Sequence, residues 1–266
     1  ATHDGEAHVY AFDAITGAPL WEPYPLPDPV YPERGGAVLG GEGRLFVATV
    51  EGIVTCLDAL RGTRVWESAV KGKVLGALTY TAQALLVPIG TEATNSGGLV
   101  LLDLETGAVR QSIPLRGLPD VAPAATDTLA IVHDDSGDVT AVTLATGEVV
   151  WQVKTGAGFD AAPVIQKDQI FCAGADGIVR CLSLTDGSEL WQFAVTNAPL
   201  TGTPAVSESL LHLPAGDGLH LVSAATGRSV RRYGSLRPLR SAPVVLGGFI
   251  FYGSTDGNVW GIAPGK

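Results

Sequence analysis

Three sets of residues have types and spacing that could do chemistry. "HDDSGD", His133 to Asp138, places Asp134, Ser136 and Asp138 at alternate positions, as at the start of a calcium loop. The later bidentate Glu is missing, and Asp, Ser and Gly are also what a tight turn between strands asks for, so the turn reading comes first. Asp120 and Asp160 form a second set, two carboxylates that could share acid–base work in a hydrolase or lyase. Each stands three residues before a proline, Pro123 or Pro163, so repetition alone explains the match. The five histidines, His3, His8, His133, His212 and His220, show no HExxH or paired zinc spacing. His212 and His220 flank one hairpin; they are expected on the strand surface and could face each other across it.

The remaining reactive types are quieter. Cys56, Cys172 and Cys181 lie in apolar strand-like runs with no CxxC, as small buried hydrophobes would. There is no G-x-S-x-G, no P-loop and no G-x-G-x-x-G in a strand-to-helix setting; "GGAVLGGEG" falls where a turn between two strands belongs. The expectation is of no catalytic set, no metal and no cofactor.

The elements that would position these residues are written as a repeat. "VYAFDAITGAPLWE", Val9 to Glu22, returns nearly unchanged as "VTAVTLATGEVVWQ", Val139 to Gln152. The turn glycines are Gly17, Gly62, Gly107, Gly147, Gly187 and Gly227. Four residues after them stand Trp21, Trp66, Gln111, Trp151, Trp191 and Arg231; four before them stand Asp13, Asp58, Asp103, Thr143, Ser183 and Ser223. The latter are short side chains able to accept hydrogen bonds from turn backbone. Asp-Gly pairs such as Asp176-Gly177 and Asp256-Gly257 mark hairpins, and Pro123, Pro163, Pro204 and Pro243 open successive units. Each unit therefore reads as strands A ("AAPVI"), B ("IFCAG"), C ("IVRCLSL") and D ("ELWQF"), a four-stranded antiparallel meander of about 40 residues.

The fold class that follows is all-β: a β-propeller of four-stranded antiparallel blades, seven blades with incomplete terminal ones, or six as the alternative. The connections are too short for crossover helices. Residues 1–266 read as one propeller domain and as a portion of a longer protein, since the chain starts at Ala1 and contains no Met. Hydrophobic residues make up 46% and charged ones 17%, which is the composition of a folded chain. The net charge of −10 argues against nucleic acid or an anionic membrane as partner. No apolar run approaches the roughly 18 residues that cross a bilayer.

The pattern resembles the pyrroloquinoline-quinone-like repeat propellers, whose blades carry DG-x-V-x-A-x-D-x-x-T-G-x-x-x-W. Here it stands as "DGEAHVYAFDAITGAPLW" and "DGIVRCLSLTDGSELW". The resemblance implies that Trp21, Trp66, Trp151 and Trp191 are pegs docking each blade on the next. The family's quinoprotein dehydrogenases have eight blades, a vicinal disulfide over the cofactor, a calcium site and a catalytic Asp. This chain has no Cys-Cys pair, falls short of eight blades and has no insertion to cap a flat cofactor. A quinone-dependent oxidoreductase is therefore the alternative, and the non-catalytic branch the main reading. That branch holds the lipoprotein scaffold of outer-membrane protein assembly and the sensor regions of bacterial serine/threonine protein kinases. It implies a binding or sensing module, with an extracytoplasmic place preferred to a cytoplasmic one.

The connections from strand D to the next strand A (22–36, 67–76, 112–122, 152–162, 192–203 and 232–242) sum to +2, leaving −12 for the rest. Lys71, Lys73, Arg116, Lys154, Arg232, Arg237 and Arg240 thus gather at one rim of an acidic body. That rim, with Tyr24 and Tyr31 of the proline-rich "EPYPLPDPVYPERGG", is the expected recognition face for a protein or peptide partner or a small anionic ligand.

Overall fold

A strand with a continuous apolar run must be covered on both faces, whereas a half-exposed strand alternates. Both patterns recur in order along this chain, in strands such as "RLFVA" and "ELWQFA". In the computed structural model, which describes residues 2–3, 8–27, 38–91, 96–159, 161–195, 200, 202–235, 237–239 and 241–263, they become seven antiparallel sheets. The first comprises Thr2–His3, His8–Tyr10 and Tyr24–Pro25. The second comprises Val38–Leu39, Arg44–Ala48, Ile53–Asp58 and Arg64–Ala69. In the third, Lys73–Val74 and Thr79–Tyr80 both pair with Leu85–Thr91, followed by Ser96–Leu102 and Val109–Leu115.

The fourth sheet runs through Ala124–Ala125, Leu129–His133, Asp138–Thr143 and Val149–Lys154. The fifth has Val164–Gln166, Gln169–Ala173, Ile178–Ser183 and Glu189–Ala194, and the sixth has Ala205–Ser207, Leu210–Ala215, Gly218–Ser223 and Ser229–Gly234. Val244–Leu246, Phe249–Gly253 and Val259–Ile262 make the seventh. The chain is all-β and its sheets are propeller blades in strand order A-B-C-D. No helix among the described residues is long and apolar enough to cross a membrane.

The repeat pattern leaves the N-terminal blade incomplete, with strands C and D only. Thr2–His3 instead pairs with His8–Tyr10, which adds a third strand there. The last strand, Val259–Ile262, pairs with Phe249–Gly253 of its own sheet.

The chain divides into two compact units, Ala1–Val150 and Trp151–Lys266. In the first unit, alternate residues of Arg44–Ala48 point to opposite neighbours. Leu45 and Val47 join Val9 and Leu26 of the first sheet, while Phe46 and Ala48 join Leu85, Val87 and Val100 of the third. The second unit follows the same logic. Phe171, Ala173 and Cys181 of the fifth sheet pack on Leu211, Leu213 and Val222 of the sixth, whose Leu219 and Leu221 pack on Ile250 and Tyr252 of the seventh. All of these side chains are buried, so within each unit these neighbouring sheets share a layer of core.

Candidate functional site

The indoles of Trp21, Trp66, Trp151 and Trp191 occupy the layers between sheets, whereas Trp260 is exposed. Trp66 is buried; Trp21, Trp151 and Trp191 are half-buried. Each indole Nε1 donates to a carbonyl on the following sheet: Trp21 to Ala59 at 3.1 Å, Trp66 to Leu104 at 2.9 Å, Trp151 to Leu184 and Trp191 to Ala224, both at 3.0 Å. The ring face lies against the turn glycine of that sheet. A methyl group placed on Gly187 would stand 2.7 Å from Trp151 Cε3, and one on Gly227 2.6 Å from Trp191 Cε3. Both glycines have positive φ, 73° and 67°, so glycine is required twice over: for the turn and for the ring it receives.

A device that the sequence pattern does not announce aims the indoles. In the second, third, fifth and sixth sheets the C–D register slips, between Cys56/Leu57, Leu101/Leu102, Cys181/Leu182 and Leu221/Val222. The extra residue in strand D is Val65, Arg110, Leu190 or Val230, each directly before the indole position. A bulge at that point turns the next side chain toward the neighbouring sheet. Val65, Leu190 and Val230 are left exposed. Their hydrophobicity gave the only hint, and it pointed the wrong way, toward burial.

The short side chains before the turns act as acceptors. Asp103 Oδ1 accepts from the backbone N–H groups of Glu105 and Thr106 and from the Thr106 hydroxyl; Asp13 and Asp58 make the equivalent backbone contacts. The Thr106 hydroxyl and amide hold the Asp103 carboxyl below its usual range. The candidate calcium ligand Asp134 is spent in the same way. Its Oδ1 accepts from Ser136 N, Ser136 Oγ and Asp138 N, and its Oδ2 from Gly117 N at 3.1 Å. No group of three or more His, Cys, Asp or Glu among the described residues could hold a metal ion. Asp120 is half-buried; Asp160 lies outside the described residues.

The histidine expectation needs correction. His212 pairs with Leu221 and His220 with Leu213, adjacent rows of one hairpin, so the two rings point to opposite faces of the sheet. Neither is a surface residue: both are buried. His220 Nε2 lies 2.8 Å from Asp217 Oδ1, and Arg232 donates to Asp217 Oδ2 at 2.6 Å. Burial alone would raise the Asp217 carboxyl, but the His220 hydrogen bond and the Arg232 charge outweigh it and hold it low. None of the three thiols is in a disulfide, and all three are buried. Burial pushes Cys181 up to about 12 and Cys172 higher still, so neither is a nucleophile at neutral pH.

The rim residues fare differently from one another. Lys71, Arg116, Lys154 and Arg237 are exposed. Lys73 stands 3.9 Å from Glu51, and Arg232 is held by Asp217 as described. Tyr24 lies in the first sheet, half-buried and packed on the Val9–Leu26 cluster. Arg240 and Tyr31 lie outside the described residues.

A profile of the family described as outer membrane protein assembly factor BamB matches residues 5–175, 96–197 and 175–265. The outer membrane protein assembly factor BamB of Yersinia pestis is 26% identical over 213 residues, 71% of this chain and 52% of that protein. The chain thus spans about half the length of the curated relatives it matches. Among solved structures, BamB from Moraxella catarrhalis superposes with a TM-score of 0.70 at 22% identity, over 84% of this chain and 67% of that one. A quinohemoprotein alcohol dehydrogenase from Pseudomonas putida HK5 superposes at 0.80 with 14% identity, over 98% and 62%, a likeness of fold.

Proposed function

The chain belongs to the family described as outer membrane protein assembly factor BamB, and from that membership we propose that it is a non-catalytic scaffold in outer-membrane protein assembly. One observation carries the reading. Among the described residues, several side chains that could do chemistry are engaged in holding the fold together: the four peg indoles by neighbouring carbonyls, Asp134 by four donors, the thiols by burial. Residues so engaged support recognition by exposed loops rather than catalysis. The names of the relatives favour an assembly role over a kinase-attached sensor, and with it an extracytoplasmic place.

Within this reading the contact surface is the set of D-to-A connections, with Lys71, Arg116, Lys154 and Arg237 as exposed cations and an acidic protein segment as their partner. The quinone-dependent oxidoreductase remains the disfavoured alternative, because the chain lacks a vicinal cysteine pair and a cofactor lid. The test is co-purification of the tagged protein with the outer-membrane protein assembly machinery of its own cell, for wild type and a Lys71→Glu/Lys154→Glu/Arg237→Glu variant. Recovery with wild type and loss with the variant supports both parts. Undiminished recovery with the variant rejects the cationic surface, and no recovery with wild type rejects the scaffold.

A further inference from the structure

Layers between sheets that share one register are not filled alike. Two residues beyond the indole position, strand D turns a side chain to the same face as the indole. That side chain is Ile113 in the third sheet, Phe193 in the fifth and Tyr233 in the sixth, and each packs into the layer shared with the following sheet. In the second sheet the residue at this register, opposite Val54, is Ser68.

The facing row is reduced as well. Between the fifth and sixth sheets, Phe193 meets His220 with ring centroids 6.2 Å apart, and His220 pairs across the ladder with Arg232. The corresponding row of the third sheet, also next to the indole row, is Val100 and Ser112. Phe, His and Arg are thus replaced by Ser, Val and Ser in the layer between the second and third sheets, which both belong to the first compact unit. Interiors pack with few voids larger than a water molecule, so shrinking three side chains at one place opens space.

That space is a cavity of about 380 Å³ lined by Ala69, Val70, Lys71, Val100, Val109 and Ser112. Buried Val70 and Val100 form its floor, and exposed Val109 and Ser112 stand at its mouth. Small-molecule sites typically enclose roughly 300–1,000 Å³ with a mainly apolar lining and few polar groups. Lys71 is the one charged side chain among the described lining residues. Lys73, two residues on, stands 3.9 Å from Glu51, whereas Lys71 is exposed and has no ion-pair partner among the described residues.

We propose that this cavity binds a small aromatic monocarboxylate of the size of phenylacetate. The phenyl ring occupies the place that Phe193 fills between the fifth and sixth sheets, and the carboxylate pairs with Lys71 at the mouth. No acidic side chain among the described lining residues opposes the anion, so the charge is recognised along with the ring. Binding needs no protein partner and holds or fails separately from the scaffold role.

The probe is phenylacetate, titrated into the intact protein and followed by saturation-transfer NMR, with phenylacetamide as its uncharged counterpart. Saturable binding of phenylacetate is expected, with the amide at least tenfold weaker. Ser68→Phe restores the ring of the fifth sheet and fills the cavity; Lys71→Gln removes the charge from an exposed position without touching the core. Each weakens phenylacetate binding at least tenfold while circular dichroism shows the fold retained. Lys71→Gln alone carries the test if Ser68→Phe does not fold. The proposal is overturned by an absence of saturable binding to the wild type, by an amide that binds as tightly as the acid, or by undiminished affinity in either folded variant.

Discussion

The six-membered ring of Trp191 lies over the Cα of Gly227, on the next sheet, 36 residues further along the chain. The same pairing joins Trp21 to Gly62, Trp66 to Gly107 and Trp151 to Gly187. Trp and Gly recur together because these four glycine turns are each the seat for the indole of the sheet before, while Gly147 receives the stem of Gln111. The indole N–H completes the seat by reaching a carbonyl three residues before that glycine, as Trp191 does with Ala224.

Gly227→Ala tests that seat directly. The substitution forces a side chain into φ = 67° and drives a methyl to 2.6 Å from the ring. Backbone strain alone costs about 1–2 kcal/mol. Gly17 has φ = 70° but nothing within 4 Å, so Gly17→Ala isolates the strain. Urea unfolding should show a larger loss for Gly227→Ala than for Gly17→Ala; equal losses would remove the indole from the explanation.

Trp66 separates ring packing from hydrogen bonding. Trp66→Ala should cost about 3–5 kcal/mol, the range for emptying a buried aromatic site. Trp66→Phe keeps much of the ring and gives up the 2.9 Å bond to Leu104, for a further loss of about 1 kcal/mol beyond the packing change. Thermal unfolding of the pair should rank Ala far below Phe.

The turn carboxylates make stability depend on pH with a definite sign. Asp103 has its folded pKa lowered from the ordinary 3.8, chiefly by the Thr106 hydroxyl and amide. Its contribution is therefore complete above pH 3.8 and disappears as pH falls through the lower folded value. Asp103→Ala should lower the thermal midpoint at pH 7 and have a progressively smaller effect below pH 4. A constant gap across that range would contradict the assignment.

The thiols report opening of the core. Burial raises Cys181 to about 12 and Cys172 further, so at pH 8 the folded protein offers almost no thiolate. Labelling of Cys172 and Cys181 by a maleimide should be slow in buffer and accelerate with urea in step with loss of β-sheet circular dichroism. Fast labelling of Cys181 in the folded protein would show that the layer between the fifth and sixth sheets opens locally, since Cys172 faces the other side of its sheet.

Strand order, turn positions and the indole periodicity were readable in the sequence because they depend on neighbours close along the chain. A Thr-Asp-Gly turn or an Asp-Gly hairpin is decided within four residues by φ angles and local hydrogen bonds. His212 and His220 were misread because hairpin register, not sequence distance, sets which face a side chain takes; one step along the strand reverses it. The bulges at Val65, Leu190 and Val230 were invisible for a related reason. An extra residue in strand D is defined only against its partner strand.

What the sequence determined alone is the blade: a local meander whose short loops leave its strands one order to adopt. The layers between blades belong to tertiary structure. That Gly227 carries an indole, that Asp134 ties its hairpin to Gly117, and that Arg232 reaches Asp217 beside His220 each depend on residues from separate strands or blades meeting in space. Side-chain volume and buried polar groups are balanced only when two sheets close on each other, so no single segment of the chain contains that information.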